Sequence, residues 1–285
     1  MKCLVIGTKG NIGSGLLRDC PSYITDKFLT CSRRPPADVI LDPNDLTSFA
    51  KLIIKEGVDS LILLSAISKP QLCGAGTQSG EINIQLPASL ANLCKSCCIK
   101  LVFASTEYVY NGKMRSSPKT EDPLNILPTT NYALEKLSAE YLIQSILPEA
   151  LVLRLPKVYQ LSGKDDLLSW IMKDALRTDT VRLASDQFFS PISCYDLGHI
   201  IARCLEEDLS GVYNCGGPDD KSRFEYYEIY REYLPFYPLV LPCTLSELGV
   251  ADNIPRDVSM ESSRIYHDTG YKPRSFRSYI ETYLV

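Results

Sequence analysis

Tyr132 and Lys136 stand four residues apart in Tyr132-Ala133-Leu134-Glu135-Lys136, at the start of a segment with helical apolar period. That spacing puts both side chains on one helix face, where they can meet. A free phenol, with a pKa of roughly 10, is a poor proton donor at neutral pH. A neighbouring ammonium shifts it toward use as a general acid or base. With 17 tyrosines in the chain such pairs arise by chance, so this one gains meaning only from its surroundings. Upstream, Leu101-Val102-Phe103-Ala104 reads as a buried strand that delivers Ser105, Thr106 and Glu107 to its carboxyl end. Open α/β sheets bind ligands at that edge, and a hydroxyl there can polarise a carbonyl.

A second set of residues suits an anion. Gly7-Thr8-Lys9-Gly10-Asn11-Ile12-Gly13 follows the apolar run Cys3 to Ile6 and opens a helix. The glycines let the turn tighten and bring backbone N–H groups near a pyrophosphate, which the helix N-terminus stabilises. Gly7, Gly10, Asn11, Ile12 and Gly13 are therefore candidate cofactor contacts. NAD-preferring sites usually end the second strand with a carboxylate for the ribose hydroxyls. Here Phe28-Leu29-Thr30-Cys31 is followed by Ser32-Arg33-Arg34, with no acid. Two guanidinium groups and a hydroxyl suit a ribose 2′-phosphate, which favours NADP(H). The competing reading leaves Arg33 and Arg34 as solvated charges before a Pro-rich turn. Asp42, after the third strand, is a further candidate for an adenine or ribose contact.

These residues require a particular scaffold. Short β-branched runs at Cys3 to Ile6, Phe28 to Cys31, Val39 to Leu41, Leu61 to Ser65, Leu101 to Ala104 and Leu151 to Leu155 alternate with longer amphipathic stretches. Strands alternating with helices need crossovers, which cover both faces of a mostly parallel sheet. The expected fold is α/β, a doubly wound parallel sheet. Composition changes near residue 156, where helical pieces at 167–177 and 223–233 alternate with Pro- and Tyr-rich stretches. This predicts a first domain over 1–156 and a smaller α+β lobe over 157–285, with about 187–205 packing back on the first domain.

The 285 residues are 45% hydrophobic and 22% charged, values of an ordinary globular chain. A net charge of −4 gives no general field for nucleic acid or an anionic membrane. The N-terminal apolar run is too short for a signal peptide and no span-length apolar stretch follows, so a cytoplasmic setting is expected. The eleven cysteines fall partly in apolar runs and read as buried free thiols. Cys94 and Cys97 have zinc-like spacing but lack a second ligand pair, and only His199 and His267 exist, so no metal is expected. His199 reads as a helix histidine, and Trp170 with Tyr226, Tyr227, Tyr230 and Tyr233 as packing or lobe surface.

Gly7-x-x-Gly10-x-x-Gly13, Ser105-Thr106-Glu107-Tyr108-Val109-Tyr110-Asn111-Gly112, Glu121-Asp122-Pro123 and the Tyr132/Lys136 pair together resemble extended short-chain dehydrogenases. More narrowly they resemble dTDP-4-dehydrorhamnose reductases. The resemblance continues through Arg154-Leu155-Pro156-Lys157-Val158-Tyr159, Asp186-Gln187-Phe188-Phe189-Ser190-Pro191 and Pro255-Arg256-Asp257-Val258-Ser259-Met260. It implies a Rossmann-like sheet, a catalytic set of Thr106, Tyr132 and Lys136, and NADPH-dependent reduction of the 4-keto group of a nucleotide-linked deoxysugar. Lys136 then also holds the nicotinamide ribose, Ser65 and Ala66 border the cofactor, and Ser105, Glu107 and Arg256 face the nucleotide-sugar substrate. Lys164 is an additional cation for the diphosphate, and a homodimer is the expected assembly. Glu107 stands where the family has Asp, and Asp257 replaces a Pro, departures that bear on the substrate. The rival readings are a nucleotide-sugar epimerase or dehydratase with bound NAD, and a non-catalytic NADP-binding regulatory subunit.

Overall fold

A computed structural model of the chain describes residues 1–42, 44–110, 112, 118–160, 180–233, 239–250 and 254–283. The helical piece expected at 167–177, with Lys164 and Trp170, and also Asn111, lies outside the described residues.

Strands β1 (Cys3–Ile6), β2 (Phe28–Ser32), β3 (Val39–Ile40), β4 (Ser60–Leu63), β5 (Lys100–Thr106) and β6 (Leu151–Leu155) form one sheet with the strand Gly211–Asn214. The order is Gly211–Asn214, β6, β5, β4, β1, β2, β3, and every pairing is parallel. This is the Rossmann-like doubly wound arrangement, with its switch point between β1 and β4. The alternation along β1 shows why both faces are covered. Cys3 and Val5 join a core with Leu16, Leu197 and Ile201, whereas Leu4 and Ile6 join Phe49, Ile53 and Leu90 on the other face. Such two-sided burial is what makes parallel strands read as continuous apolar runs.

The helices α1 (Asn11–Asp19), α2 (Ser22–Thr25), α3 (Leu46–Glu56), α4 (Leu86–Cys97) and α5 (Asn131–Ile146) lie along the first half of the chain. Helix α3 starts with Asp45 capping Ser48 N and ends at Gly57, whose φ of 61° terminates it. Helix α5 starts at Thr130, whose hydroxyl accepts from Ala133 N at 3.2 Å. That cap fixes the first turn and, with it, Tyr132.

Beyond residue 156 the chain both returns to the sheet and builds a second core. The strand Ile192–Ser193 and the helix Cys194–Glu206 pack against α1, and Gly211–Asn214 pairs with β6. The second core gathers Tyr159, Leu183, Phe189, Tyr226, Tyr227 and Phe276. Tyr226 and Tyr227 are buried within the helix Arg223–Arg231, whose capping box joins Ser222 and Glu225. The tyrosine cluster is therefore packing. His199 stacks on Tyr271 with ring centroids 5.0 Å apart. All eleven cysteines are free. No described helix is long and apolar enough to cross a membrane.

Candidate active site

The carboxyl edge of the sheet carries two cavities that meet at the start of α1. The larger, about 540 Å³, is bordered by Gly7, Gly10, Ser32, Arg33 and Arg34, and across from them by Ser65 and Ala66. Gly7 has φ of 99°, and a Cβ there would come within 2.7 Å of Ser65 N. Only glycine lets β1 turn this close to the end of β4. A Cβ at Gly13 would meet Gly7 O at 2.5 Å, so Gly13 serves the close packing of α1 against the turn rather than the cavity wall. Gly10 caps α1 without any side-chain hydrogen bond, which leaves the first N–H groups of the helix available to an anion. Arg33 and Arg34 are exposed beside this turn, and neither is ion-paired among the described residues. The Ser32 hydroxyl donates to Arg34 O at 2.6 Å and so sets the course of this segment. A glycine turn, a helix start without a side-chain cap and two guanidinium groups not ion-paired among the described residues fit the pyrophosphate and 2′-phosphate of NADP.

The second cavity, about 310 Å³, opens on Asn11 and Ile12 at one end and on Thr106, Glu107, Tyr132 and Lys157 at the other. Strand β5 ends at Thr106, and the chain turns so that its hydroxyl accepts from Tyr108 N at 3.3 Å. Thr106 and Tyr132 both border this cavity, and Thr106 acts on the Tyr132 phenol. Burial raises the Tyr132 phenol well above its ordinary pKa, against the pull of Thr106, and so keeps it protonated. One helical turn on, Lys136 is buried beneath the cavity with its Nζ 3.9 Å from the centre of the Phe103 ring. Burial lowers its pKa to about 7, opposed by the charge of Glu140. Thr106 and Tyr132 border the cavity, and Lys136 is buried one helical turn after Tyr132, outside the cavity lining.

Buried carboxylates of α5 fasten this arrangement to its neighbours. Glu140 accepts from Arg154 of β6 at 2.7 Å and from the Ser105 hydroxyl. Arg154 in turn donates to Tyr110 Oη at 2.9 Å. Ser105 borders the cavity, but its hydroxyl proton is committed inward. Glu135 accepts from Ser79 Oγ at 2.5 Å, from Gly74 N at 3.0 Å and from Asn83 Nδ2 at 2.8 Å. Asn83 also binds Ile67 through both its backbone groups. The loop after β4 is thereby held against the helix that carries Tyr132.

Two of the expected site residues lie away from these cavities. Asp42 is exposed, lies outside the cavities and accepts from Asn44 N at 2.9 Å. Because β3 is only two residues long, the chain turns toward α3 there and the carboxylate serves that turn. Arg256 lies outside both cavities, with its guanidinium 3.7 Å from Asp186. Conversely, Lys157 and Arg223 were not foreseen near the site. Lys157 donates to Tyr108 Oη at 3.4 Å, and Arg223 to Gln187 Oε1 at 2.7 Å. Both act on the charge of Glu107. The position of Lys157, two residues past β6 at the carboxyl edge of the sheet, was the available signal.

Comparison with known proteins agrees with this layout. A dTDP-4-dehydrorhamnose reductase from Mycobacterium tuberculosis is 26% identical over 231 residues, 78% of this chain and 72% of that one. A probable low-salt glycan biosynthesis reductase, Agl14, from Haloferax volcanii is 26% identical over 225 residues, 75% of this chain and 74% of its own. Among solved structures, a dTDP-4-dehydrorhamnose reductase from Bacillus anthracis in complex with NADP superposes with a TM-score of 0.85 at 20% identity, covering 99% of both chains. The profile of one family, the RmlD substrate binding domain, matches residues 1–285. The chain belongs to that family.

Proposed function

We propose that this chain reduces the 4-keto group of a nucleotide-linked deoxysugar with NADPH. The observation that carries the reading is a cavity bordered by both Thr106 and Tyr132, beside one lined by Gly7, Gly10, Arg33 and Arg34. Relatives named as reductases of such sugars, from Mycobacterium tuberculosis and Streptomyces niveus, support it. In this reading residues 1–156 hold the cofactor and the lobe from 157 holds the sugar. Gly7, Gly10, Asn11 and Ile12 receive the pyrophosphate, and Arg33 and Arg34 pair the 2′-phosphate.

NADPH, when bound, supplies the hydride for the carbonyl carbon. Tyr132 gives its proton to the carbonyl oxygen, and the Thr106 hydroxyl donates a hydrogen bond to the same atom. A reduction needs the phenol protonated at the outset, and burial keeps it so; the raised pKa also makes it a weaker acid, which the ammonium of Lys136 offsets in this reading. Lys136 lies one turn behind and offsets the phenolate charge left after transfer.

The test follows NADPH absorbance with a dTDP-4-keto-6-deoxysugar. Tyr132→Phe is expected to lower turnover by at least roughly 10²-fold, the usual contribution of a positioned general acid. Replacing NADPH by NADH is expected to raise KM for the cofactor. Intact NADP binding without oxidation of either cofactor, across several keto-sugar nucleotides, would overturn the reductase reading.

A further inference from the structure

Gln160 is 2% exposed and directly follows the strand Val158–Tyr159, yet its side chain bonds to α1, near the other end of the chain. Its Oε1 accepts from the Arg18 guanidinium, and its Nε2 donates to Asn11 Oδ1 at 2.7 Å. A guanidinium can only donate, so Arg18 fixes which way the Gln160 amide points, and Gln160 fixes the Asn11 amide in turn. Arg18 is itself held by Asp19, whose Oδ1 accepts from Nε at 3.0 Å. With Oδ1 taken, the two Nδ2 donors of Asn11 remain, and among the described residues they make no hydrogen bond. Asn11 is the first residue of α1 and borders the cavity that also holds Thr106 and Tyr132. Helix α1 leaves room for this contact. A Cβ at Gly15 would collide with Gln160 Oε1 and Cys194 Sγ, and glycine inside a helix is otherwise unfavourable relative to alanine.

We infer that Gln160 is a positioning residue for the cofactor: it turns the Asn11 amide so that Nδ2 donates to a pyrophosphate oxygen at the start of α1. This rests on the cofactor assignment above. Phosphate oxygens only accept, so an Asn amide beside them helps in one orientation and opposes in the other. The Gln160 bond holds Oδ1 away from the anion and adds the amide nitrogen to the first N–H groups of α1, which have no side-chain cap. Because Gln160 comes from the segment after β6, cofactor affinity depends on that segment being seated against α1.

The experiment measures NADPH and NADH dissociation constants by fluorescence for Gln160→Glu in two backgrounds, wild type and Asn11→Ala. Glutamate keeps the size of the side chain and the bond from Arg18 but has no donor for Asn11, so the Asn11 amide must reverse. Gln160→Glu is expected to weaken NADPH binding by at least about tenfold, the loss of one hydrogen bond to a charged group. NADH is expected to lose the same factor, since the pyrophosphate is common to both cofactors. In the Asn11→Ala background, Gln160→Glu is expected to change affinity by less than about twofold, because a residue that acts through Asn11 has nothing left to act on. Equal weakening in both backgrounds is what added charge or a general disturbance of packing would give, and it overturns the inference. So does a loss confined to NADPH, or no loss at all, and each of these leaves the cofactor assignment standing. If Gln160→Glu does not fold by far-UV circular dichroism, Gln160→Met decides through the same cycle, with a loss of about threefold expected only where Asn11 is present. Wild type that binds neither cofactor removes the assignment and the inference together.

Discussion

Replacing Glu107 with glutamine should change how stability depends on pH, and the size of that change follows from the burial of one carboxyl. Burial raises the pKa of Glu107 from 4.5 to about 8, against the opposing pull of Lys157 and Arg223. Between those values the native state holds a proton that the unfolded chain has released. The stability of the wild type is thus fully present below pH 4.5 and is lost as pH rises to about 8. Each pH unit in that interval is worth about 1.4 kcal/mol, which sets a ceiling of about 5 kcal/mol. Glutamine is nearly isosteric and does not ionise, so it escapes the loss. Lys136 works with the opposite sign: burial holds it at about 7, and above that pH stability rises because unfolded lysine keeps a proton the native one lacks. That contribution is common to both proteins and cancels in their difference. Urea titrations of the cofactor-free proteins at about pH 5 and about pH 8.5 should show Glu107→Gln gaining at least ~2 kcal/mol relative to wild type between the two conditions. Parallel stability profiles would refute the description of Glu107 as an enclosed, unpartnered acid.

Three other perturbations test separate parts of the structure. Arg154→Met strands Glu140 in the core without its cation, and should cost about 3–5 kcal/mol in urea unfolding; a loss under about 1 kcal/mol contradicts the buried pair. Gly7→Ala places a Cβ 2.7 Å from Ser65 N at a φ of 99°, and should weaken NADPH binding, read by cofactor fluorescence, by at least about tenfold. Unchanged affinity contradicts the cradle. Arg33→Ala with Arg34→Ala should cut the preference for NADPH over NADH in direct binding by roughly 10²-fold and leave NADH affinity nearly as it was; an unchanged preference makes these two arginines ordinary surface charges.

The parts of this site that could be read in the sequence are the local ones. Tyr132 and Lys136 announce themselves because a helix turns a spacing of four into contact, and Gly7, Gly10 and Gly13 because they follow the first strand directly. The strand Leu151–Leu155 could be placed to the residue, since burial of both faces leaves it apolar at every position but Arg154, which Glu140 pairs. Asp42 lies past the two-residue strand β3, where its carboxylate accepts from Asn44 N, a local turn role that its sequence position does not announce. Lys157 and Arg223 were invisible for the opposite reason. They come from the segment after β6 and from the helix Arg223–Arg231, far apart in the chain, and only tertiary folding brings both near Glu107.

Around α5 and the end of β5, the buried ionisable groups divide by whether the protein itself satisfies them. Glu140 is answered by Arg154 and Ser105, and Glu135 by Ser79, Gly74 and Asn83. Both carboxylates face structure and tie the helix to a strand on one side and a loop on the other. Among the described residues, Lys136 has only an aromatic face beneath its ammonium, and Oε2 of Glu107 has no hydrogen-bond partner. Those two have their pKa values displaced toward neutrality, and Glu107 borders the cavity together with Thr106 and Tyr132. Leaving a buried charge unanswered destabilises a fold by several kcal/mol unless something else compensates. Where satisfied and unsatisfied groups sit on one helix and its neighbouring strand end, the satisfied ones mark the scaffold. The unsatisfied ones mark the places where a ligand's atoms complete the structure.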